Sequence, residues 1–147
     1  MLMQEEDLPQ PFDPRRVLYL DTETTGFQGS GTVAFIIGAG FITGEGFEVR
    51  QYIMRDYPEE PDQLNRLKAL LEGFDTLCTF NGKSFDVPLL RSRFLMNRLR
   101  DTAFDKPHID LLHIARRVWK LRLKQCSLGR LEEEILGQPR HDDLPGA

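Results

Sequence analysis

The sequence predicts an α/β fold: a mixed sheet of about five strands, three antiparallel and then parallel, flanked by helices. Two observations carry this. Three strand-like segments joined by short turns fill residues 15–55, and short apolar strands then alternate with helical periodicity to the end of the chain. The 147 residues, 40% hydrophobic and 29% charged, suit one compact domain with a sizeable core. Residues 1–14, with three prolines and an acidic cluster, read as a flexible lead-in, and residues 15–147 as the single domain.

"RRVLYLDTE" has apolar residues on both alternating faces, as a central strand covered on both sides requires. "GSGTVAFIIGAGFITGEGFEVRQYIMRD" predicts two more strands, near 32–42 and 47–55, joined as a hairpin by the glycine turn "TGEG". "PEEPDQLNRLKALLEGF" opens a helix at Pro61-Asp62, carries Leu64, Leu67, Leu70 and Leu71 at helical spacing, and stops at Gly73. "DTLCTFNG" is a short buried strand. "SFDVPLLRSRFLMNRL" is a second helix, with Ser84 or Asp86 near its N-terminus and Leu90, Phe94 and Leu95 expected on its inner side. "PHIDLLHIARRVWKLRLK" gives a brief strand turning into a helix, and "SLGRLEEEILG" a last short helix that Ser127 could cap. This order returns the fourth strand beside the first through a right-handed crossover, an RNase H-like arrangement.

The acidic opening "MLMQEEDLPQ" is unlike a secretory signal, and "VAFIIGAGFI" is too short to span a bilayer, so a cytoplasmic protein without membrane attachment is expected. Cys78 and Cys126 form no metal-ligand pattern and read as reduced core residues, which argues against zinc. The net charge of −4 is unevenly spread. Residues 1–86 carry 7 Lys/Arg against 15 Asp/Glu, residues 87–130 carry 11 against 3, and residues 131–147 carry 1 against 5. A basic segment inside an acidic chain is either a solvated helix face or a surface that meets phosphates.

"YLDTETTGFQG" places two carboxylates, Asp21 and Glu23, at the tail of the first strand. Side chains at i and i+2 of a strand share a face, so the pair converges. Like charges so close call for a proton, solvent screening or a bound cation. Oxygen ligands alone favour a hard cation such as Mg²⁺ or Mn²⁺. In "FNGKSFD", Asp86 follows the fourth strand at the mouth of the next helix. With strands one and four parallel neighbours, Asp86 is expected to face Asp21 and Glu23 at the carboxyl edge of the sheet, where α/β sheets bind ligands.

"LDTETTG" together with "TFNGKSFDVPLLRSRF" resembles the DEDD (DnaQ-like) superfamily of 3′–5′ exonucleases, and most closely the bacterial YprB-like RNase H superfamily proteins. The first stretch looks like exonuclease motif I. "NGKSFDVPLL" looks like motif II, in the N-x-x-x-F-D spacing of proofreading domains of family B DNA polymerases. The resemblance runs from about residue 17 to 145 and implies a divalent-metal-dependent nuclease, a 3′–5′ exonuclease hydrolysing DNA or RNA by a two-metal mechanism. On that resemblance Asp21 would bridge both cations, Glu23 would hold the one that activates water, and Asp86 would hold the second. Thr24, Thr25 and Phe27 would hold the terminal nucleotide of a single-stranded 3′ end. Asn81 and Lys83 could contact its phosphate or sugar.

The family's fourth acid, from motif III on a closing helix, is not recognisable. "DDLPG" resembles the loop that precedes it, and His141 has no Asp five residues on. Three readings stay open, truncation first: a chain lacking the motif III helix, a second chain that supplies it, or Asp142 or Asp143 as a substitute ligand. Asp110 in "HIDLLH" reads as a helix N-cap rather than a ligand, His108 and His113 have no metal-ligand geometry, and Trp119 reads as core. Arg91, Arg93 and Arg98 on one helix, and Arg116, Arg117 and Lys120 on the next, would track a phosphate backbone in an exonuclease. The alternative function is a catalytically incomplete nucleic-acid-binding or protein-interaction domain of the same fold.

Overall fold

The computed structural model describes residues 12–25 and 31–119. A single five-stranded sheet has the order β3-β2-β1-β4-β5. Its strands are β1 (Val17–Thr24), β2 (Ala34–Thr43), β3 (Gly46–Ile53), β4 (Thr76–Thr79) and β5 (His108–Asp110), and its helices are α1 (Glu60–Leu71), α2 (Asp86–Met96) and α3 (Leu111–Trp119). The first three strands form an antiparallel meander, with Tyr19 opposite Gly40 and Gly40 opposite Val49. β4 lies parallel to β1 on its other side, and β5 parallel to β4. This is the mixed sheet expected from the sequence, with β1 at its centre.

Period-two alternation divides the residues of β1 between two cores. Leu18 and Leu20 face one side, where Leu64, Leu67 and Leu71 of α1 and Val87, Leu90 and Phe94 of α2 complete the main cluster with Ile37, Ala39 and Leu77. Val17 faces the other side, with Cys78, Ile109 and Ile114 of α3. Full burial of a leucine side chain is worth roughly 1.5–3 kcal/mol, so the α1 and α2 stripes supply much of what holds the helices to the sheet. Burial also pushes the Cys78 thiol up to about 12, which keeps it protonated and inert.

Polar contacts join the layers. The Glu60 carboxylate, at the first residue of α1, accepts from Arg93 of α2 at 2.9 Å through Nε and from Asn97 Nδ2 at 3.0 Å. Gln63 Nε2 donates to the carbonyls of Ala34 and Tyr52, tying α1 to β2 and β3. Lys106 Nζ donates to the carbonyls of Leu71 and Phe74 just after α1, satisfying backbone groups that the helix end leaves open.

One expectation for α2 is corrected. Leu95 is 60% exposed, because the buried stripe runs Val87, Leu90, Phe94 and a residue one step past Phe94 turns about 100° away from it. Asp86 stands near the N-terminus of α2 as expected, as its first helical residue, and Phe85 occupies the N-cap without a side-chain hydrogen bond. The predicted final helix from Ser127, together with Cys126 and Lys120, lies outside the described residues, as does the Trp119 side chain.

Candidate active site

The tail of β1, the turn after β4 and the first residue of α2 meet at the carboxyl edge of the parallel β1–β4 pair. Asp86 is buried there, 8% exposed, and accepts a hydrogen bond at Oδ1 from the Thr22 hydroxyl. Burial pushes the Asp86 carboxyl up from its ordinary 3.8 to about 6. The Thr22 hydrogen bond opposes that rise, and the negative charges of Asp21 and Asp110 add to it. The charges acting on Asp86 are thus both carboxylates, and a cation bound beside it would relieve burial and repulsion together.

Asp21 is exposed and Glu23 half-buried, on the face of β1 that also carries Tyr19. Asp86 meets the opposite face, because Thr22 lies between them in a strand of period two. The charge of Asp21 nevertheless reaches Asp86 and adds to its rise, while Glu23 is not among the groups acting on Asp86. The β1–β2 register shifts between Glu23 and Thr24, so the last residue of the strand leaves the regular ladder just past the two acids. Among the described residues, no three His, Cys, Asp or Glu side chains are gathered into a group that could hold a metal ion. The donors at this edge are oxygen-only and negative, which fits a hard divalent cation in type and charge, with the rest of its ligands coming from elsewhere.

The turn between β4 and α2 is held by a buried carboxylate. Asp110 accepts from the backbone amides of Asn81 at 2.7 Å, Lys83 at 3.1 Å and Leu112 at 3.0 Å. The N-cap reading of Asp110 is right, through Leu112, but it omits the two bonds that reach across to the turn. Asn81 sits in the left-handed region at φ 64, which asparagine tolerates better than most residues. A Cβ on buried Gly82 would run into the Thr79 side chain, whose Oγ1 lies 2.6 Å from His108 Nε2. The turn thus arrives at α2 with little freedom, leaving the Lys83 side chain exposed at its crest.

Thr24 and Thr25 are half-buried beside this edge, and Phe27, Asp142, Asp143 and His141 lie outside the described residues. Arg91 and Arg93 of the basic segment are engaged within the protein. Arg93 pairs with buried Glu60, and Arg91 pairs with Asp101 at 3.1 Å and Asp105 at 2.8 Å while lying over the Phe104 ring. Arg98, Arg116 and Arg117 are exposed. Sequence reasoning missed Thr22 and the reach of Asp110. The first was legible in the middle position of D-T-E, which must point away from the two acids.

The family model of the RNase H superfamily matches residues 18–147. The uncharacterized protein YprB of Bacillus subtilis is 34% identical over 141 residues, covering 92% of this chain and 33% of YprB. Exonuclease I has a similar structure, with a TM-score of 0.61 at 18% identity over 72% of this chain and 30% of that one. E. coli exonuclease I in complex with a dT13 oligonucleotide gives a TM-score of 0.60, and in complex with a dA16 oligonucleotide 0.61, each at 18% identity over 72% of this chain and 30% of the other. The chain spans about a third of the length of these relatives. No helix among the described residues is long and apolar enough to cross a membrane. With its sheet order and a family match over most of its length, the chain belongs to the RNase H superfamily and has the RNase H-like fold of exonuclease I.

Proposed function

We infer that this chain is a divalent-metal-dependent nuclease domain of the cytoplasm that hydrolyses DNA or RNA from a single-stranded 3′ end. The observation that carries this reading is the placing of the D-x-E acids at the tail of β1 and of buried Asp86 at the start of α2, on the carboxyl edge of the parallel strand pair. The fold of exonuclease I, solved with single-stranded dT13 and dA16 oligonucleotides, supports the substrate class.

In this reading Asp21, Glu23 and Asp86 hold Mg²⁺ or Mn²⁺, as their oxygen donors and negative charge favour. Bound there, such cations lower the pKa of water and stabilise charge on the attacking and leaving oxygens. The chain's own residues bind and orient. Asp110 presets the turn that carries Asn81 and Lys83, so the exposed Lys83 ammonium can meet a phosphate without reorganising the backbone. Thr24 and Thr25, with Phe27, hold the terminal nucleotide beside Asp21.

A second reading, a nucleic-acid-binding or protein-interaction domain without hydrolysis, is favoured by one observation: the described carboxylates do not form a three-membered metal cluster. The two separate in one assay. Purified chain is incubated with a 3′-labelled single strand of DNA or RNA and Mg²⁺ or Mn²⁺, beside an Asp21→Asn control. Release of labelled mononucleotide that the substitution abolishes supports the nuclease. Retention of an uncut strand by both proteins supports the binding domain.

A further inference from the structure

We propose that Thr22 is a positioning residue for the metal-holding carboxylate, acting through its hydroxyl on Asp86. This rests on the reading of Asp86 as a metal ligand. In D-T-E the two acids occupy one face of β1, and the residue between them points to the other, beneath the start of α2. There the Thr22 hydroxyl donates to Asp86 Oδ1. The bond engages one carboxylate oxygen, Oδ1.

Three features make Thr22 suited to this. A carboxylate turns easily about its last torsion, so a donor fixed in space selects one orientation. Thr22 is such a donor: its backbone pairs with Ile37, which is fully buried, before the register shift at Glu23/Thr24, and its branched side chain has few rotamers. Asp86 stands at the first helical position rather than at the N-cap, which Phe85 holds, and the Val87 amide bonds to the Gly82 carbonyl, so the side-chain donor that orients its carboxylate is Thr22. A threonine present only for its strand propensity would have no need to place its hydroxyl on a buried acid.

The test is Mn²⁺ binding by isothermal titration calorimetry on the full chain, comparing wild type with Thr22→Val, Thr22→Ala, Thr22→Ser and Asp86→Asn. Circular dichroism confirms that each variant is folded. Outer-shell hydrogen bonds to metal ligands are worth on the order of 10–100-fold in affinity. Thr22→Val, which keeps shape and loses the hydroxyl, is expected to weaken Mn²⁺ binding at least ~10-fold, Thr22→Ala likewise, and Thr22→Ser less than ~3-fold. The Mn²⁺ concentration for half-maximal nuclease activity should rise in the same order. If Thr22→Val or Thr22→Ala, whichever folds, binds Mn²⁺ as wild type does while Asp86→Asn does not, the role of Thr22 is refuted and that of Asp86 stands. If Asp86→Asn binds as tightly as wild type, or wild type does not bind, the reading of the site itself fails and the role of Thr22 with it.

Discussion

Replacing Asp86 by asparagine removes a buried carboxyl at the sheet edge that is pushed strongly upward, while keeping its shape and an oxygen for the Thr22 hydroxyl. In the unfolded chain this carboxyl titrates near 3.8, and in the folded protein near 6. The folded state holds the proton more tightly, so the group favours folding fully below about pH 4 and loses that advantage as pH rises through about 6. Each tenfold change in the ionisation constant is worth about 1.4 kcal/mol, so the ionised Asp86 costs the metal-free fold about 3 kcal/mol at pH 8. The asparagine amide must itself find a partner, which lowers the expected gain to roughly 1–3 kcal/mol. Urea denaturation with a chelator present, at pH 4 to 8, measures it. Wild type should lose stability relative to Asp86→Asn across pH 4–6, with the variant the more stable at pH 8. Added Mn²⁺ should close the gap by stabilising wild type alone. A difference between the two proteins that does not change with pH, or a variant less stable at pH 8 than at pH 4 by as much as wild type, would refute the reasoning.

Asp110→Ala strands the amides of Asn81, Lys83 and Leu112, and at roughly 1–3 kcal/mol for each buried unpaired group it should cost at least about 3 kcal/mol in urea unfolding. Amide exchange at Asn81 and Lys83 should accelerate beyond what global stability explains. Glu60→Ala removes the carboxylate that pairs with Arg93, in an ion pair whose side chains are 12% and 6% exposed, and should cost about 3–5 kcal/mol by the same measurement. A loss below about 1 kcal/mol would mean that solvent replaces the carboxylate there.

The architecture was legible because its signals are periodic. Leu64, Leu67 and Leu71 recur at helical spacing, β1 alternates, and the order of the elements leaves few topologies. Leu95 was misplaced because a run of apolar residues beside Phe94 does not reveal which of them the stripe takes. Arg91 and Arg93 read as surface charge because their partners, Asp101, Asp105 and Glu60, come into range only through the packing of α2. Lysine and arginine counts report charge, not its disposition.

By itself, the sequence determined the order of the elements, the D-x-E at the end of a central strand and the acid at the start of the helix after the next parallel strand. These follow from local periodicity and from the rule that neighbouring parallel strands open on one edge. Only the tertiary structure decided which atoms meet at that edge. Thr22, Asp86 and Asp110 are separated by 64 and 24 residues along the chain, and no local pattern encodes a hydrogen bond over such distances. The burial that raises Asp86, the two like charges beside it and the amides gathered by Asp110 all arise when α2 and α3 close on opposite faces of the sheet.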